Sequence, residues 1–181
     1  MFRFQKSGVY SMSLAEELVV QARFLANLDP HGPNQANLRR AVSSAYYAVF
    51  HLFSGEVGAQ VISSGPSGLR ERTQRALNHN TMYKAAESFS QSGVRPRNLP
   101  ADISLSGTVS AELTSIARGF KRLQEERHSA DYDVSRSFDR IEVPALVQTA
   151  EDIFADWSRE KTSGNAPIFL ASLMFWQLWN K

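Results

Sequence analysis

Apolar residues recur at intervals of three and four along most of the chain, and the alternation expected of strands is almost absent. Leu14, Leu18, Ala22 and Leu25 mark one face of a first helix. Ser13 and Glu16 open it with capping-box spacing, each able to satisfy an orphan amide. The run Asp29-Pro30-His31-Gly32-Pro33 ends it, because proline and glycine forbid continuation. A second helix carries Leu38, Ala41, Val42, Ala45, Tyr46, Val49, Phe50 and Phe53 on one stripe, and fades near Ser63 to Gly68. A third shows Ala76, His79, Met82, Tyr83, Ala86 and Phe89, until the segment from Ser92 to Pro100 breaks it. The connection that follows, running to about Gly107, is long for a bundle and a candidate mobile segment.

A fourth helix repeats Leu113, Ile116, Ala117, Phe120 and Leu123. The fifth begins near Pro144, a good first-turn residue, and continues through Leu146, Val147, Ala150, Ile153, Phe154 and Trp157. Pro167 opens a short sixth helix rich in Phe169, Leu170, Leu173, Met174, Trp176 and Trp179. With no internal repeat, this pattern predicts an all-α fold: an up-and-down antiparallel bundle of five to six helices. It forms one domain over residues 1–181, with its core in 11–160 and the short last helix in 166–180.

Composition narrows the chemistry. A chain of 181 residues is long enough to bury a full core without covalent staples. It has no cysteine, which removes disulfides, thiolate metal sites and cysteine nucleophiles. Net charge is only +2, so this is not the polycation of a dedicated duplex-DNA binder. The apolar run Ile168 to Trp176 is far short of the ~20 residues a membrane span requires, and Met1 to Lys6 lacks a signal-peptide core. These features point to a cytoplasmic location and no membrane role. The four histidines are scattered and no phosphate loop or nucleophile elbow is present, so no metal or cofactor is expected.

Two stretches stand out. Continuing the stripe of the fourth helix from Leu123 places Arg127 where a core residue belongs. A guanidinium there needs a carboxylate, a carbonyl or an open cleft, since an unpaired buried charge is very costly. Asp131, four residues on, is the first candidate partner. His128 and Tyr132 lie four apart on a neighbouring face. The bland alternative is an Arg–Asp clasp closing the helix end. In the second helix, Tyr46 sits on the apolar face and Tyr47 one step round it; both read as core aromatics with a satisfied polar tip, or as groups orienting a phosphate or a base. His79 is likewise either a satisfied interior histidine or a site residue.

These residues carry a resemblance. Leu38-Arg39-Arg40-Ala41 followed by Ala45-Tyr46-Tyr47-Ala48-Val49-Phe50-His51 resembles the second-helix signature of the HEPN family, the higher eukaryotes and prokaryotes nucleotide-binding domains. Arg127-His128-Ser129-Ala130-Asp131-Tyr132 is similar to its later Arg-x-x-Ala-Asp-Tyr motif, and His79 falls where small members often have a histidine. The resemblance spans roughly residues 11–160. It implies a helical bundle, a homodimer with the motif faces near the two-fold axis, and a nucleotidyltransferase-type partner acting as antitoxin. Many members are metal-independent ribonucleases, in which an arginine binds the scissile phosphate and a histidine, separated from it by four to six residues, moves the ribose proton.

The chain departs from that pattern. Tyr132, Asp133 and Val134 stand where the histidine would be sought, and a phenol with a pKa near ~10 is a poor base at neutral pH. The resemblance therefore implies binding of RNA or a nucleotide, with Arg127 as phosphate contact and Asp131, Tyr132, Tyr46, Tyr47 and His79 around it. The alternatives are a ribonuclease using Arg127 with His128 or His79, and a non-catalytic structural module.

Overall fold

The structure, a computed structural model, describes residues 12–28, 32, 34–64 and 66–180. The proposed stop at Asp29, Pro30, His31 and Pro33, the residue Gly65 and the N-terminal segment lie outside the described residues. Seven helices and no strand are present among those described: α1 (Leu14–Ala26), α2 (Gln35–Val61), α3 (Ser67–Arg75), α4 (His79–Phe89), α5 (Ala111–Tyr132), α6 (Glu142–Glu160) and α7 (Ala166–Trp179). They form an all-α bundle, with one helix more than the upper end of the five to six that the periodicity predicts.

The caps explain most of the boundaries. Ser13 and Glu16 close a reciprocal capping box at the start of α1. Ser110 accepts from the Leu113 amide to open α5. Asp139 accepts from the amides of Ile141 and Glu142, so α6 starts two residues before Pro144. The extra helix arises at Asn78, whose side chain accepts from the amides of Asn80 and Thr81 and starts α4 afresh. The single third helix expected from periodicity is thus two. α3, mostly polar, lies against α2, where Gly58 leaves room for Gln74: a Cβ there would come within 3.1 Å of the Gln74 side chain.

α2 is the axis of the bundle. Its 27 residues span about 40 Å at 1.5 Å per residue, and it packs against α1, α3, α5, α6 and α7. α5 runs antiparallel to it: Arg39 near the start of α2 meets the end of α5 at Ala130, whereas Phe53 meets Phe120 further back. α4 and α6 are in turn antiparallel to α5: Tyr83 pairs with Glu125 and Glu87 with Lys121, while Arg136 joins Glu126 near the end of α5 to Glu142 at the start of α6, and Gly119 further back seats against Thr149 and Ile153. At the centre, Phe53 meets the rings of Phe120, Trp157 and Phe169 edge to face, at centroid distances of 5.7, 5.3 and 5.6 Å. That geometry is the favoured one for aromatic quadrupoles.

α7 folds back over its own bundle. Phe169, Leu170, Leu173 and Trp176 are buried, Phe169 against Phe89 of α4. One face of the apolar C-terminal helix is therefore part of the core. The long connection before α5 is pinned at several points. Arg95 donates to the carbonyls of Pro100 and Ile103, and the buried Asn165 side chain accepts from the Ser106 amide and donates to the carbonyls of Ser106 and Thr108. None of the described helices is long and apolar enough to cross a membrane.

Because Phe53 joins α2 to α5, α6 and α7 at one point, Phe53→Ala is expected to lose about 3–5 kcal/mol of stability, the usual cost of truncating a buried phenylalanine. Urea denaturation followed by circular dichroism measures it; a loss below about 1 kcal/mol would mean that this ring cluster does not organise the core.

Candidate functional site

Two features of the sequence create the site. The α2 stripe places Tyr46 inward, and the α5 stripe, carried one turn past Leu123, places Arg127 opposite it. The Tyr46 ring is fully buried, while Tyr47 and His79 are half-buried. The Arg127 side chain is 16% exposed and Asp131 22%, so the guanidinium sits at the wall of the core.

Arg127 is held on every side. Its Nε lies 2.8 Å from Asp131 Oδ2, an ion pair in which the N–H is not aimed along the contact. Its Nη2 donates to the Tyr47 hydroxyl at 2.6 Å. The guanidinium carbon stands 5.8 Å from the ring centre of Tyr46, 5.3 Å from that of Tyr47 and 5.7 Å from that of Tyr132, within cation–π range of all three. Burial works against the charge, but the Tyr47 hydrogen bond and the Asp131 carboxylate outweigh it and hold the Arg127 pKa above its ordinary value. Asp131 is anchored in turn by Ser43 of α2, whose hydroxyl donates to Oδ1 at 2.6 Å. The Arg–Asp pairing expected from the sequence is present, as part of a larger knot.

His79 opens α4 beside this knot. Its Nδ1 is 2.5 Å from the Tyr46 hydroxyl and its ring 4.4 Å from that of Phe50. Burial pushes the Tyr46 phenol well above its usual range, despite the nearby Arg127 charge. The phenol therefore keeps its proton, and His79 Nδ1 is the acceptor it reaches. That assigns the Nε2–H tautomer to His79. Burial, and then the charge of Arg127 and the proximity of His51, lower the His79 pKa below 6.5. His51 is also lowered by burial.

His128 and Tyr132 are exposed, with ring centres 5.0 Å apart. Tyr132 is the outer wall of the guanidinium cage. The structure thus brings Arg127, Asp131, Tyr46, Tyr47, Tyr132 and His79 into one cluster, and leaves His128 on the outer face of α5. It adds two residues that sequence reasoning missed as site members, Ser43 and Arg39. Arg39 donates to the carbonyls of Ala130 and Asp133 at 2.8 and 2.9 Å and also to that of Arg136, and its guanidinium lies over Phe138. The end of α5 is closed by an arginine from α2. Arg39 falls four residues before Ser43 on α2, and that spacing is the signal that both face the end of α5.

No group of metal-ligating side chains is present among the described residues. In the comparisons, no protein-family model matches the chain, and neither a curated protein nor a solved structure is similar to it.

A histidine whose folded pKa lies below its unfolded value binds fewer protons than the unfolded chain, so stability falls as pH drops below about 6.5. Acidification from pH 7.5 to 5 is therefore expected to lower the melting temperature, and His79→Gln to reduce that loss while leaving the share due to His51. Carbon-detected NMR titration of His79 should show a pKa below the ordinary imidazole value. A His79 titrating above it would contradict the buried, neutral tautomer.

Proposed function

We propose that this chain is a HEPN-like bundle that binds the phosphate of RNA or a nucleotide through Arg127 without cleaving it. The observation that carries this reading is the state of the guanidinium. Arg127 is oriented by Asp131, Tyr47 and three aromatic rings, yet its Nη1 makes no hydrogen bond within the described residues and is not sealed from solvent. A fixed fork with donors to spare at the protein surface suits a phosphate oxygen. Tyr132, exposed beside it, offers a face on which a base can stack.

Cleavage has less support. A histidine acting as general base must be neutral and hold a free lone pair near a ribose hydroxyl. His79 is neutral, but its Nδ1 lone pair is taken by Tyr46. His128 directs its ring against Tyr132 on the outer face. The ribonuclease reading therefore ranks second, and a purely structural module third. The HEPN resemblance further proposes a homodimer, a nucleotidyltransferase-type partner and a toxin–antitoxin, stress or defence setting. For the dimer, the supporting feature is the exposed apolar pair Val20 and Phe24 on α1, with Leu28 exposed just past its end.

Fluorescence anisotropy with labelled single-stranded RNA and with ATP, in EDTA, tests the main reading. Binding without cleavage is expected, with RNA affinity about tenfold or more weaker in Arg127→Ala, as loss of a charge-assisted hydrogen bond implies, and only partly restored in Arg127→Lys. Circular dichroism separates this from misfolding. Robust cleavage that requires both Arg127 and His128 would replace the reading with the nuclease, and absence of binding would leave the structural module. Light scattering at micromolar concentration is expected to give the mass of a dimer; a monomer would remove that part of the proposal.

A further inference from the structure

A large cavity lies away from Arg127, at the opposite end of the α4–α5 seam. It measures about 880 Å³ and is bounded by the end of α4, the loop over residues 91–98, the first half of α5 and the last turn of α7. A volume of that order falls in the range of small-molecule sites, about 300–1,000 Å³. Its charge is one-sided. Lys84, Arg95, Arg97, Arg118 and Lys121 line it, against the single carboxylate of Glu87. Five of the chain's 20 basic residues and one of its 18 acidic residues meet at one cavity, in a protein whose net charge is only +2.

Internal structure accounts for part of this set. Arg118 Nε donates to the carbonyl of Ser90 at 2.7 Å, capping the end of α4. Arg95 holds the loop through the carbonyls of Pro100 and Ile103, and Lys121 pairs with Glu87 at 3.0 Å. Two helix C-termini, of α4 and α7, add about half a negative charge each, which still leaves the cavity about +3. Lys84 and Arg97 are not accounted for at all. Both are exposed, and neither makes a hydrogen bond or ion pair among the described residues. The Nη groups of Arg118 are likewise uncommitted.

We propose that this cavity binds the phosphate chain of a compact polyphosphate ligand, such as a nucleoside triphosphate or inorganic tripolyphosphate, at a site separate from Arg127. The cations converge from α4, the loop and α5 on one concavity instead of forming a stripe. The one aromatic lining residue, Trp176, is 5% exposed and offers no stacking platform. Both features favour a short, highly charged anion over a strand of nucleic acid, which needs a tracking groove and faces for its bases.

Isothermal titration of the full chain with inorganic tripolyphosphate, with ATP and with a single-stranded RNA 12-mer tests this. Tripolyphosphate and ATP should both bind, with affinity falling as salt rises. Equal affinities assign the site to the phosphate chain alone, and tighter binding of ATP adds a contact to its nucleoside; either supports the proposal. Lys84→Ala combined with Arg97→Ala should weaken tripolyphosphate binding at least tenfold, with a melting temperature nearly unchanged because neither side chain makes a hydrogen bond or ion pair among the described residues. Arg127→Ala should leave tripolyphosphate binding intact. No binding of tripolyphosphate, unchanged binding in the double variant, loss of it in Arg127→Ala, or an RNA 12-mer that binds through Lys84 and Arg97 more tightly than tripolyphosphate would each overturn the proposal.

Discussion

A helix surrounded by other helices has nowhere to put a polar atom except against a neighbour. α2 is in that position, and the rest of the molecule is arranged around the consequence. Ser44 donates to Gln21 of α1, Ser43 to Asp131 of α5, Tyr46 to His79 of α4, while Tyr47 receives Arg127 and Arg39 reaches the carbonyls that end α5. Each contact satisfies a group whose isolation would cost about 1–3 kcal/mol, and together they fix the order in which the other helices surround α2. The apolar stripe drives the burial of α2, but it is indifferent to rotation and slippage by small amounts. The polar set is not, because one misplaced helix would leave several of these groups unpaired at once.

The candidate site is therefore a by-product of a packing requirement as much as a device. Arg127 is oriented by the same partners that relieve the burial of α2, and removing it would leave the Tyr47 hydroxyl without its donor and Asp131 without its counter-charge. Structural and binding roles are not rivals in such an arrangement. A guanidinium rigidified for stability has already lost the side-chain freedom that binding would otherwise cost, so any ligand reaching its free donors meets a preorganised group. The exposed outer wall is where function and stability separate: the rings of Tyr132 and His128 face each other and solvent, and Tyr132 reaches inward only to the guanidinium of Arg127.

Most of the helices were legible because their periodicity is enforced by burial: the stripes over Leu38 to Phe53, Leu113 to Leu123 and Leu146 to Trp157 are the residues that line the core. The break at Asn78 was not, because Ala76, Met82 and Phe89 continue a helical period across it, and a capping asparagine in mid-pattern has no signal stronger than the stripe it interrupts. The fate of α7 was not legible either. An apolar helix looks the same whether it covers its own bundle or a partner, and only the position of Phe89 and Phe53 beneath Phe169 decides. Of the site, the pairing of Arg127 with Asp131 followed from a charge standing on an apolar stripe four residues before a carboxylate. The hydrogen bond between Tyr46 and His79, and the role of Arg39, join residues 33 and about 90 positions apart, and no local spacing encodes such a distance.

The Arg127 knot and the basic cavity differ in what neutralises them, and that difference decides how each acts at a distance. The Arg127 charge is cancelled locally by Asp131 and spread over aromatic faces, so its field outside the protein is weak and its usefulness is confined to hydrogen-bond range. Between it and the cavity at the other end of the α4–α5 seam stands a ladder of compensated groups: Tyr83 with Glu125 at 2.7 Å, and Lys121 with Glu87 at 3.0 Å and Glu125 at 3.8 Å. Beyond that ladder, Lys84 and Arg97 have no counter-charge, and the surrounding concave wall limits screening by solvent. A diffusing anion is therefore drawn first toward the cavity, and only a ligand that fits between the aromatic rings gains anything from Arg127. Nearly balanced formal charge over the whole chain conceals the positive excess that lines this cavity, an excess absent from the knot that first draws the eye in the sequence.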